Sequence, residues 1–132
     1  MPLPVHLVLH SHMPWVLQHG SWPHGEHWLF EAAAGVYLPL LRILDGLSNR
    51  GSRSSLTVGI TPILSLQLSH PRFKSGFNDY MLKQIERSTH RIQHQPLIGE
   101  FWREHYQSLY AYWQKISGNI PGAFLGHVNQ GR

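Results

Sequence analysis

Apolar and polar positions divide the chain into a short strand, a loop carrying aromatic and imidazole groups, and a train of helices interrupted by a second strand. Leu7, Val8 and Leu9 form an apolar run between His6 and His10, and His12 continues the even spacing. The three imidazoles therefore share one face of a predicted strand. Over residues 26–49, Phe30, Ala33, Ala34, Tyr37, Leu41 and Leu44 recur at helical spacing. Pro39 falls inside that pattern and predicts a kink or a division, because its ring removes a backbone donor and crowds the preceding turn. Ser48, Asn49, Arg50, Gly51 and Ser52 stop the helix and turn the chain. Residues 56–60 then predict a second strand, whose apolar and β-branched content implies burial on both faces. A strand, a long crossover and another strand make a βαβ unit, so the two strands are expected to run parallel.

Pro62 ends the second strand and leaves residues 63–69 at its C-terminal tip. Gln67 is there either as a residue on the rim of a pocket or as a polar group capping a turn. After Pro71, Phe73, Phe77, Met81 and Ile85 repeat by fours, and beyond the break at Pro96 so do Phe101, His105, Leu109 and Trp113, with Ile116 one turn further. Two long helices in series are predicted. Residues 118–122 end the second of them, and residues 123–132 read as a short polar tail with Phe124, Leu125 and Val128 as its apolar residues.

Composition narrows the function classes. A chain of 132 residues with this aromatic content predicts one small globular domain. The formal charge of +4 comes from eleven Lys and Arg against seven acids, with no basic run of five, which gives nucleic acid little to bind and disfavours it as a partner. The absence of cysteine removes disulfides and thiolate metal sites. No signal-type start and no apolar run of about 18 residues is present, so a soluble, cytoplasmic protein without membrane attachment is expected. Nor is there a glycine-rich phosphate loop or a nucleophile elbow, and nucleotide chemistry has no foothold.

Candidate chemistry concentrates in residues 5–31, which hold six of the eleven histidines and three of the five tryptophans. His10 and His12 lie at the C-terminal end of the first strand, the end that faces ligands in parallel α/β folds. Trp15, Trp22 and Trp28 follow on the loop and helix start. Indole faces suit the C–H faces of sugar rings while the N–H meets a hydroxyl, although each of these tryptophans could equally pack into a core. An H-x-H pair at a strand tip can also ligate a metal. The second strand offers no His, Asp, Glu or Cys to complete such a site, so no metal and no cofactor is expected. Hydrogen bonding of the histidines within a packed turn is the remaining plain alternative.

The segment His10-Ser11-His12-Met13-Pro14-Trp15 is followed by Gly20, Trp22-Pro23-His24-Gly25-Glu26 and Trp28, then by Glu31-Ala32-Ala33 and Tyr37-Leu38-Pro39-Leu40-Leu41. Together they resemble the amino terminus of glycoside hydrolase family 57, specifically its 1,4-α-glucan branching enzymes. Leu56-Thr57-Val58-Gly59-Ile60-Thr61-Pro62-Ile63-Leu64, with Gln67-Leu68, resembles the next strand of the same enzymes. The resemblance implies an α/β fold, the opening portion of a seven-stranded (β/α) barrel that stops before its third strand, with residues 1–132 as a partial catalytic domain. It implies an α-glucan partner, amylose or glycogen-like, bound by His10, His12, Trp22, Trp28 and Gln67. An α-amylase or a 4-α-glucanotransferase is the neighbouring alternative, and a noncatalytic remnant with weak glucan contact is the alternative of another class.

Glycosidases need two carboxylates at one centre, about 5 to 5.5 Å apart in retaining enzymes. Glu26, Glu31, Asp45, Asp79, Glu86, Glu100 and Glu104 are the seven acids here, all in predicted helices. By resemblance, the glutamate nucleophile and the aspartate acid/base both belong to sequence beyond Arg132, so no catalytic residue is expected within the chain. The missing C-terminal part of the barrel is then an expected partner. Without it the strands at residues 5–9 and 56–60 are predicted to be sticky, and the chain marginally stable and prone to associate.

Overall fold

The computed structural model describes residues 5–51 and 56–130. Ser52, in the expected turn, and Gly131 and Arg132, at the end of the expected tail, lie outside the described residues. Two strands, β1 (Leu7–Ser11) and β2 (Leu56–Ile60), pair in parallel with Leu7 opposite Leu56 and Ser11 opposite Ile60. Between them run helix α1 (Glu26–Ala32), a π-helical turn (Ala33–Tyr37) and helix α2 (Leu38–Asn49). After β2 come α3 (Pro62–Ser69), α4 (Pro71–Ile92), α5 (Pro96–Lys115) and α6 (Ile120–Asn129). The α/β architecture with a parallel pair and a helical crossover is as the apolar pattern implied.

Pro39 divides the crossover as expected, and the way it does so is physical. It occupies the first turn of α2, where a missing N–H is harmless. The turn before it widens into a π-helix, which relieves the clash between the proline ring and the carbonyl four residues earlier.

Helices cover one face of the sheet. Val58 and Ile60 pack on a core made of Leu29, Phe30, Leu38, Leu41, Leu64, Leu68, Phe73, Phe77, Met81, Leu109, Trp113 and Ile120. Phe77 sits edge-on to Trp113 with ring centroids 4.8 Å apart and stacks on Phe73 at 5.4 Å, which joins α4 to α5. On the same sheet face, Ser11 hydrogen-bonds the Tyr37 side chain; burial still raises that phenol above its ordinary pKa.

Three expectations need correction. Burial of β2 on both faces is not found: Thr57 is exposed, Leu56, Val58, Gly59 and Ile60 are half-buried, and across the pair Val8 is 61% exposed. The helices described here cover only one side, and the apolar composition of β2 signals a covering layer that residues 5–130 do not supply. Residues 63–69 are helical rather than an open tip, because Thr61-Pro62 is an N-cap and first-turn pair. The supposed tail is α6, opened by Asn119, whose side chain accepts from the Gly122 N–H at 3.0 Å, with Pro121 in the first turn.

Candidate functional site

The open face of the sheet carries the imidazoles. His6, His10 and His12 are all exposed, in keeping with the period-2 geometry of a strand whose Leu9 and Ser11 turn toward the helices. His6 Nε2 bonds Thr57 Oγ1 at 2.9 Å across the pair. His10 stands over Gly59: a Cβ at that position would come within 3.3 Å of its Nδ1. A glycine opposite His10 therefore leaves the ring room to lie across the sheet.

Beyond His12 the chain leaves the strand tip as a loop over residues 12–25, anchored by the burial of Met13, Val16 and Leu17. Gln67, fully buried on α3, accepts from the Val16 N–H at 2.8 Å through Oε1 and donates to the Pro14 carbonyl at 3.0 Å through Nε2. The amide is thus spent on loop backbone. Of the two roles open to Gln67 in the sequence, the geometry is that of a group bracing a turn, with its side chain enclosed rather than on a rim.

A second clamp closes the other end of the loop. Glu26 Oε1 accepts from the Gln18 N–H at 2.8 Å and from Arg72 Nε on α4. Gln18 adopts a left-handed conformation, with φ of 68°, and Gly20 follows with φ of 82°. The Glu26 and His27 N–H groups then bond back to the Gly20 and Ser21 carbonyls at 2.9 and 3.1 Å. The outcome is a loop tip, residues 20–25, stitched to the start of α1. Gly25 is required there, since a Cβ would stand 2.1 Å from the Gly20 oxygen.

The clamps leave Trp22 72% exposed and Trp28 42% exposed, the latter edge-on to His24 at 5.8 Å. Both lie outside the core that the described residues form. Trp15, also 42% exposed, donates its indole N–H to the Leu17 carbonyl at 3.0 Å and meets His70 edge-on. The structure places His10 and His12 at the strand tip and Trp22 and Trp28 on the loop that leaves it, while Gln67 lies beneath.

Glu26 and Arg72 are the pair that sequence reasoning missed as site-building groups, having read Glu26 only as a helix-start acid. The signal was present in Gly25-Glu26 after a loop, but its partner is 46 residues away. Burial works to raise the Glu26 pKa, yet the hydrogen bonds from Arg72 and Gln18 and the Arg72 charge outweigh it, and the carboxyl is held below its ordinary value. Because the folded-state pKa is lowered, the clamp is present above the ordinary glutamate range and is lost as pH falls through the lowered value. Glu26→Gln is expected to lower the protection factor of the Gln18 amide at neutral pH, and acidification of the parent protein to lower it as well once the fall in intrinsic exchange rate with pH is divided out. Amide exchange followed by NMR reads both.

All seven acids are on helices, Glu26 is committed to Arg72, and Asp45 accepts from Tyr112 at 2.9 Å and faces His127 at 3.0 Å. Among the described residues, no three His, Cys, Asp or Glu side chains are grouped to hold a metal ion, and no helix is long and apolar enough to cross a membrane.

Residues 6–132 match the profile of glycosyl hydrolase family 57. The chain belongs to that family. Within family 57 it is similar to the 1,4-alpha-glucan branching enzyme TK1436 of Thermococcus kodakarensis, 34% identical over 127 residues that cover 94% of this chain and 19% of that protein. Among solved structures, the GH57-type branching enzyme from Pyrococcus horikoshii superposes with a TM-score of 0.91 at 37% identity, covering 96% of this chain and 25% of that one. The alpha-amylase AmyC from Thermotoga maritima gives 0.81 at 30% identity, with the same coverage of 96% and 25%. The family 57 chain described here thus spans a quarter or less of the length of each.

Proposed function

We propose that this chain forms a sugar-facing wall of a 1,4-α-glucan branching enzyme of family 57, with β1 and β2 as two strands of its (β/α) barrel and the reacting carboxylates supplied from outside residues 1–132. The observation that carries this is the exposure of His10 and His12 on the uncovered sheet face, next to a doubly clamped loop that presents Trp22 and Trp28. Rigid, exposed indoles on a fixed loop stack on pyranose rings with little loss of conformational freedom. The higher likeness to branching enzymes than to the amylase supports the transfer reaction over hydrolysis.

In that reaction a carboxylate attacks the anomeric carbon of an α-1,4-linked glucan while an acid protonates the departing 4-oxygen. The 6-hydroxyl of an acceptor glucan then displaces the carboxylate, giving up its proton to the same acid/base and leaving an α-1,6 branch. His10 meets the sugar at the reacting position, His12 shapes the same tip, and Trp22 and Trp28 line the cleft that holds the chain. Gln67 serves the site by holding the loop at Pro14 and Val16.

Mutation of the full-length protein separates these roles. When the chain is joined to the remainder of a related enzyme, His10→Ala is expected to lower kcat while leaving the melting temperature nearly unchanged, since His10 is exposed and contributes to no core. Trp22→Ala is expected to raise KM by roughly tenfold, the effect of losing about 1.4 kcal/mol of stacking. Steady-state branching kinetics on amylose with parallel thermal melts check both. Parallel loss of melting temperature and kcat in His10→Ala would assign the residue to packing instead.

A further inference from the structure

A second cleft lies away from the strand tip, between the π-helical turn, α4 and α5. It has a volume of about 650 Å³, within the range of small-ligand sites. Ala34 and Gly35 of the π-helical turn form one wall and Phe101, Trp102, His105 and Tyr106 of α5 the other. A smaller hollow of about 300 Å³, lined by Arg87, Ser88 and Arg91, continues it and shares Gln84, Trp102 and Tyr106 with it. The shape is that of an elongated groove.

Phe101 and His105 begin the four-residue repeat whose later members, Leu109 and Trp113, are buried in the core, yet Phe101 is 63% exposed and Trp102 38% exposed. Phe101 and His105 stack nearly parallel, 12° apart, Trp102 stacks on Tyr106 at 5.8 Å, and Trp102 meets Phe101 edge-on at 82°. Polar groups border these rings. Burial, together with Tyr106 and Glu31, pushes the Tyr80 phenol up to about 12, and burial and Glu31 raise Tyr106, so both keep their protons as donors. Burial and the Arg42 charge lower His105, which leaves its imidazole neutral at pH 7. Glu31 and Gln84 add acceptors.

We infer that this groove is a second carbohydrate-binding site, which holds a linear α-glucan against Trp102 and Phe101 while Glu31, Gln84 and the two phenols meet its hydroxyls. Exposed rings beside phenol and amide donors and a few acceptors fit a hydroxyl-rich ligand with apolar ring faces, and Arg87 and Arg91 can donate to further hydroxyls where the groove continues. Gly35 stands open on the π-helical wall, where a Cβ would meet nothing within 4 Å. The choice of an α-glucan rests on the function proposed above; the existence of the site does not.

Indole N–H resonances of the ¹⁵N-labelled chain, followed during titration with maltoheptaose and separately with cellohexaose, test this. Trp102 is expected to shift with maltoheptaose, and to shift still in Trp22→Ala. Gly35→Leu, which fills the groove from an open position, should weaken the Trp102-linked affinity by about tenfold or more without lowering the melting temperature. A Trp22 shift with a silent Trp102 would overturn this inference and leave the proposed function standing. A Trp102 shift with a silent Trp22 would do the reverse, and a Trp102 shift with cellohexaose alone would keep the site but refute the α-glucan. Trp102 shifts that follow protein concentration instead of sugar would mark the groove as a contact between copies and overturn the inference.

Discussion

Gln67→Leu is expected to destabilise the protein by roughly 2–4 kcal/mol, because it orphans a buried backbone N–H, which costs about 1–3 kcal/mol to leave unsatisfied, and strips a part-buried carbonyl of its donor. The substitution keeps most of the side-chain volume, so cavity formation contributes little. The Val16 N–H loses its acceptor in a place that Met13, Val16 and Leu17 seal from water, and the Pro14 carbonyl, closer to the surface, loses its donor. A loss of that size is a large share of the total stability of an ordinary domain, about 5–15 kcal/mol, and corresponds to a fall in melting temperature on the order of 10 °C. Leu66→Ala, one residue away but 63% exposed, is the control and should cost no more than about 1 kcal/mol. Thermal melts of the two variants give the comparison. An unchanged melt in Gln67→Leu, with glucan binding lost, would return Gln67 to the rim of the pocket.

Gly25→Ala is expected to open the loop tip. The added Cβ would stand 2.1 Å from the Gly20 oxygen and 2.8 Å from the Ser21 nitrogen, both backbone atoms, so no flexible side chain can yield. Overpacking of this kind costs about 1–3 kcal/mol, occasionally more, and here the strain falls on the bonds from Glu26 and His27 to Gly20 and Ser21. Hydrogen exchange at those two amides should accelerate, and maltoheptaose affinity should fall as Trp22 loses its fixed position. Gly46 in α2 gives the opposite expectation. A Cβ there meets nothing within 4 Å, so Gly46→Ala should stabilise the protein by about 0.5–1 kcal/mol through helix propensity.

Much of the fold was legible because its signals are local. The even spacing of His6, His10 and His12, and the fourfold repeat of Phe73, Phe77 and Met81, report faces of a strand and of a helix directly. The helices α3 and α6 were missed although their capping signals, Thr61-Pro62 and Asn119-x-Pro121, were also local, because proline was weighed as a terminator and not as a first-turn residue. The exposure of Phe101 was not legible for a different reason. Periodicity gives the face of a helix but not whether a neighbour reaches far enough to cover it, and the π-helical turn with Gly35 stops short there. At the site, strand-tip position and loop composition pointed to His10, His12, Trp22 and Trp28. The Gln67 brace and the Glu26–Arg72 clamp join residues 46 or more apart in the chain, a pairing that no single-sequence pattern encodes.

The strand pair also accounts for the expected behaviour of the chain in isolation. Val5 is 89% exposed, Leu7 57% and Val8 61%, along a two-stranded sheet with open edges of the kind that recruit other chains. Under the function proposed here, the rest of a family 57 fold covers these positions.

The most direct test of the account is the iodine-stained amylose assay, run on this chain alone and on the chain joined to the remaining segment of the Pyrococcus horikoshii branching enzyme. The account predicts no time-dependent loss of stain from the chain alone, and turnover from the fusion that His10→Ala lowers. Turnover by residues 1–132 alone, above that of a preparation carrying both His10→Ala and Trp22→Ala, would contradict it, since the reacting carboxylates would then have to be among the seven acids on its helices.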